Sequence, residues 1–157
     1  GVILAMVLVG VFVYWLWRRR HQASTPGEVE SKPIDFAAEF TRIASLGLLD
    51  RGDFKIYYSL LSENLRRFLE QRLEMEAMEQ TTSELAVAMR GVEIEDRLAE
   101  QIVEYLGDAD LVKFARFHPD IDTARRAPEA GLTILRDVED LVAAQARAPE
   151  DHAEHPV

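Results

Sequence analysis

The side chains able to do chemistry are few and scattered. Histidines stand at His21, His118, His152 and His155, and there is no cysteine, which removes thiolate nucleophiles, thiolate metal ligands and disulfides together. His152 and His155 have a spacing that would set both on one face of a helix for a metal ion, but they lie in a polar, proline-containing tail expected to be solvated. His118 precedes Pro119 and reads as a helix-terminating residue, since no partner motif accompanies it for general-base work. Asp108-Ala109-Asp110 offers a hard cation two carboxylates, which is too few, and Asp110 is expected instead to cap a short helical turn starting at Leu111. Glu70, Glu74, Glu76 and Glu79 read as a solvated acidic face. No GxxxxGK[ST], GxGxxG, GxSxG or HExxH pattern occurs. No catalytic residue, metal site or cofactor is therefore expected.

The remaining chemistry is that of recognition. Tyr57, Tyr58, Ser62, Asn64, Arg66 and Arg67 gather aromatic and basic groups on one segment, and Tyr and Arg are the residue types that anchor protein interfaces. Arg66 and Arg67 would lie about 100° apart on a helix, so that one can face a partner while the other pairs with Glu63 or Glu70.

The elements that must position these groups all read as helices. Phe36, Ala37, Phe40, Ile43, Ala44 and Leu46 recur at spacings of three and four within 33–49, with Asp35 as N-cap and Gly47 near the end. The central helix is predicted over 53–73, with Asp53 as cap, a stripe of Phe54, Tyr57, Tyr58, Leu61, Leu65, Phe68 and Leu69, and Glu63, Asn64, Arg67, Glu70 and Gln71 on the polar remainder. Thr81 and Glu84 fit a capping box that opens a short helix through Leu85, Ala88 and Met89, stopped by Gly91. Ile94, Leu98, Ile102, Tyr105 and Leu106 define a further helix expected to end at Gly107, before the short turn capped by Asp110. A last helix carries Leu132, Leu135, Val138, Leu141 and Val142, and Pro128 is expected to limit its extension towards Asp122. No segment alternates with the period of a strand, so the fold class is all-α, a bundle of about five helices over 35–145.

Residues 1–17, GVILAMVLVGVFVYWLW, carry no charge and would span roughly 25 Å as a helix, at the short end of what crosses a bilayer core of about 30 Å. Tyr14, Trp15 and Trp17 stand where an interfacial aromatic belt belongs, and Arg18, Arg19 and Arg20 follow as a stop-transfer cluster, the reverse of the order in a signal peptide. The expectation is a single transmembrane helix whose span begins upstream of Gly1, with the C-terminal side in the cytoplasm. Residues 18–34 then form a basic juxtamembrane segment and flexible linker, and 146–157 a disordered tail. Beyond the arginine cluster, 28 acidic residues face 15 Lys and Arg, leaving about −13, which argues against nucleic acid as a partner.

The run IYYSLLSENLRRFLEQRLEMEAMEQTTSEL (56–85), followed by DADLVKFARFHP (108–119), resembles the cytoplasmic helical domain that follows the membrane helix of BatD-like (oxygen-tolerance) bacterial proteins. The likeness extends from the span to about residue 142. It departs where Phe68 replaces a Tyr, where Leu73-Glu74-Met75 replaces an aromatic-Gly stretch, and at Pro128. The resemblance implies a non-enzymatic membrane protein of the bacterial inner membrane, working beside a MoxR-type AAA+ ATPase and von Willebrand factor A proteins in envelope maintenance. An accessory signalling or transport subunit that relays an extracytoplasmic event is the alternative. The motif positions expected to face a partner are Tyr58, Arg66, Arg67, Lys113 and Arg116.

Overall fold

The computed structural model describes residues 33–148. The expected membrane span, the arginine cluster and the tail from residue 149 lie outside the described residues. Five helices form, with no strand among the described residues: α1 (Phe36–Ala44), α2 (Phe54–Leu73), α3 (Thr82–Met89), α4 (Asp96–Phe114) and α5 (Ile121–Arg147). None is long and apolar enough to cross a membrane.

Local signals set the short helices. The Asp35 carboxylate accepts the Ala38 N–H at 2.9 Å and starts α1, whose apolar positions Phe36, Phe40 and Ile43 are all buried. Thr81 and Glu84 make the reciprocal capping box that opens α3. Between α1 and α2 the chain turns through Gly47 and Gly52, both at positive φ, and buries Leu48. Asp53 occupies the cap position of α2 without capping it. Its ψ of 48° is not the extended backbone of a capping residue, and its carboxylate pairs instead with Arg51 Nε at 3.2 Å.

Helix α2 is the hub, packing against α1, α4 and α5, while α4 also contacts α3 and α5. Tyr57, Leu61, Leu65, Phe68 and Leu69 bring the buried stripe of α2 against Phe40, Ile43, Leu85, Met89, Ile102, Leu106 and Val138. Asn64, assigned by its polarity to the outer face, is buried there too. Its Nδ2 donates to the Phe36 carbonyl at 2.9 Å, which pairs the amide and fastens the start of α1.

Two expected helix limits are overturned. Gly107 does not end a helix and Asp110 caps nothing, because α4 runs unbroken to Phe114. Leu98, Ile102, Leu106, Ala109 and Val112 continue one buried stripe across the glycine, and that packing outweighs the roughly 1 kcal/mol a helical glycine costs. Pro128 does not limit α5 either, which begins at Ile121 with Asp120 as cap, accepting the Thr123 N–H at 2.9 Å. Proline at 128 cannot donate to the Ala124 carbonyl four residues back. That carbonyl, on a fully buried residue, accepts the Tyr57 hydroxyl at 3.0 Å instead. The phenol of α2 thus completes the bond that the proline leaves open. At its other end α5 runs two residues beyond the expected 145 limit, and Gln145 Nε2 donates to the Glu93 carbonyl at 2.6 Å. Gly131 lets α5 close on its neighbours: a Cβ there would stand 2.6 Å from the Phe40 ring and 3.0 Å from the Tyr105 hydroxyl.

Candidate functional site

The five motif positions expected to face a partner divide into three groups. Tyr58 is buried, with its ring edge-on to Tyr57 at 5.6 Å. Burial pushes its pKa up to about 12, with the negative charges of Asp108 and Asp120 adding to the shift. It belongs to the core because both members of the Tyr57-Tyr58 pair fall on the wide apolar face of α2, which packs against helices on more than one side.

Arg66 and Lys113 are spent inside the domain. Arg66 Nη1 donates to the carbonyls of Ala77 and Gln80 at 2.7 and 2.6 Å, and Nη2 donates to Thr82 Oγ1 at 2.9 Å. The guanidinium therefore clamps the 74–81 connection onto α2, using the fork of donors that lysine lacks. Burial lowers its pKa, and the Asp110 charge opposes the shift. The seam continues from Thr82, whose hydroxyl donates to Asp110 Oδ2 at 2.5 Å. Asp110 Oδ1 lies 3.9 Å from Lys113 Nζ, which donates to Ser62 Oγ at 3.5 Å. Residues from both resembling motifs, Ser62, Arg66 and Thr82 in the first and Asp110 and Lys113 in the second, thus form one polar seam joining α2, α3 and α4. Glu70 adds to the clamp by accepting the Met78 N–H at 2.9 Å, beyond its expected place on a solvated face.

Arg67 and Arg116 are exposed. Arg67 pairs with Glu63 one turn back, as its spacing predicts. Arg116 follows α4 at φ 54°, a left-handed conformation that a residue with a Cβ rarely takes, and the His118 Nδ1–H donates to its carbonyl at 3.0 Å. Around it stands an apolar surface to which the sequence reading gave no role. Phe114 is 75% exposed, Phe117 52% and Leu111 47%, with Lys113 Nζ 5.1 Å from the centre of the Phe114 ring. Nearby, His118 meets the Phe54 ring edge-on at 5.9 Å. The usable signal was helical phase: Val112 continues the buried row of Leu98, Ile102 and Leu106, so Leu111 and Phe114, about 100° and 200° away, must point elsewhere.

The carboxylates of Asp108 and Asp110 diverge on α4, one exposed and the other turned into the seam towards Thr82. Burial, with the Glu104 charge, raises the Asp108 pKa. Among the described residues no three His, Asp or Glu side chains are grouped to hold a metal ion. What this arrangement offers chemically is an apolar aromatic corner at the α4–α5 connection, flanked by the cationic Lys113 and Arg116. No protein-family model, curated protein or solved structure matches the chain.

Proposed function

We propose that this chain is a membrane-anchored, non-enzymatic adaptor. Residues 1–17 cross the bacterial inner membrane once, and the helical domain binds protein partners in the cytoplasm. By the resemblance of residues 56–85 and 108–119 to the BatD-like domain, the partner is a MoxR-type AAA+ ATPase or its von Willebrand factor A protein, acting in envelope maintenance. The observation that carries the reading is the corner of Leu111, Phe114 and Phe117. A domain that buries its other large aromatics in the core or against it leaves two phenylalanines in water beside an arginine, the combination found at interface centres. The docking residues are thus Phe114, Phe117 and Arg116; Tyr58 is core and Arg66 holds the fold.

The test is crosslinking and affinity capture of the full-length protein from native membranes, comparing wild type with Phe114→Ser/Phe117→Ser and with Arg67→Ala as a surface control. Wild type and Arg67→Ala are expected to retrieve an AAA+ ATPase or von Willebrand factor A protein that the phenylalanine variant loses. Equal retrieval by all three, or retrieval of neither partner class by wild type, refutes the proposal.

A further inference from the structure

A second surface lies elsewhere on the domain. Between α3 and α4 runs a cleft of about 640 Å³ with an apolar floor that includes Ala86, Met89, Val92, Ala99 and Val103. Along its α4 rim Asp96, Glu100 and Glu104 repeat every four residues, so that three exposed carboxylates border the cleft over about 12 Å. Like charges at this spacing repel and weaken a helix. On other faces some acids find a cationic partner: Glu39 with Arg42, Glu63 with Arg67, Glu139 with Arg72 and Asp110 with Lys113. Among the described residues no Lys or Arg lies within ion-pair distance of these three carboxylates. Arg90 is the one basic residue lining the cleft.

We infer that the α3–α4 cleft is a docking groove for a basic amphipathic helix of a protein partner. The apolar floor takes the helix's apolar stripe, and its Lys or Arg residues at spacings of three and four neutralise the α4 row. About two turns match the length of the row. The same carboxylates repel nucleic acid and anionic lipid, whose phosphates would face them. This groove goes beyond the aromatic corner, because the two surfaces share no residue, and a chain carrying both can hold two partners together.

The experiment uses the full 157-residue chain in a zwitterionic detergent, with micelles alone as the blank. The probe is a fluorescent helical peptide of about 14 residues, with leucines on one face and lysines flanking them, followed by anisotropy. Saturable binding is expected, with a Kd that rises with salt. The variant Glu100→Gln/Glu104→Gln, which keeps the favourable charge of Asp96 in the first turn of α4, is expected to raise Kd about fivefold while melting no lower than wild type, since it removes only repulsion. Phe114→Ser/Phe117→Ser is expected to bind the probe like wild type. Absence of saturable binding, equal binding by the neutralised variant, equal binding of a glutamate-flanked peptide, or loss of the probe in the phenylalanine variant each overturns the inference.

Discussion

If the Tyr57 hydroxyl takes the place of the N–H that Pro128 lacks, the two residues must be energetically coupled although they lie on different helices. Tyr57→Phe keeps the ring in its buried place and removes only the oxygen 3.0 Å from the Ala124 carbonyl. With proline at 128 that carbonyl is then left buried without this partner, at a cost of about 1–3 kcal/mol. In a Pro128→Ala background the backbone N–H gained at position 128 bonds the same carbonyl within α5, and Tyr57→Phe then costs only a net hydrogen bond at the low end of its range, about 0.5 kcal/mol. The coupling should therefore be on the order of 1–2 kcal/mol, whatever Pro128→Ala does alone. Urea denaturation of residues 33–157, followed by far-ultraviolet circular dichroism, yields the four free energies. A cycle additive to within about 0.5 kcal/mol would refute the reasoning, and α5 would then owe its passage through Pro128 to packing alone.

Four further outcomes follow from the same geometry. Arg66→Ala should destabilise the domain by about 2–4 kcal/mol by releasing the 74–81 connection, while Arg67→Ala, which breaks only an exposed ion pair, stays within about 0.5 kcal/mol in the same denaturation assay. Gly131→Ala should cost about 1–3 kcal/mol, because its Cβ meets the rigid Phe40 ring, and a crystal structure of the variant should show α5 displaced from α1. Glu74→Gly should stabilise by up to about 1 kcal/mol and raise the melting temperature, since Glu74 ends α2 at φ 52°, where glycine is at ease. Asp120 has its pKa lowered, first by the hydrogen bond from the Thr123 side chain, so its capping contribution is complete above about pH 4 and is lost as pH falls through the depressed value. Asp120→Asn should therefore flatten the acid limb of stability measured between about pH 5 and pH 2, and an unchanged limb would refute the assignment.

The functional surface was only partly legible in the sequence. Residue type pointed to a basic and aromatic recognition surface, but type does not say which way a side chain faces. Tyr58 and Arg66 were legible as unusual and misread as exposed; Phe114 was not singled out. Each of these turns on the phase of a helix about its axis, and a one-residue step there is a rotation of about 100°.

Some of this protein is determined by neighbours along the chain. The starts of α1 and α3, the Thr81–Glu84 capping box, the buried row of α2 and the all-helical class follow from hydrogen bonds and periodicities that close within a few residues. Tertiary structure decided the rest, wherever the deciding partner is far away in sequence. Gly107 stays helical because Leu106 and Ala109 are buried in the domain core, and Arg66 becomes a clamp because carbonyls eleven and fourteen residues later come within its reach. Pro128 sits inside a continuous α5 because a tyrosine 67 residues before Ala124 supplies the proton that proline cannot. In each case a cost visible locally is offset by a contact that exists only once the helices have packed.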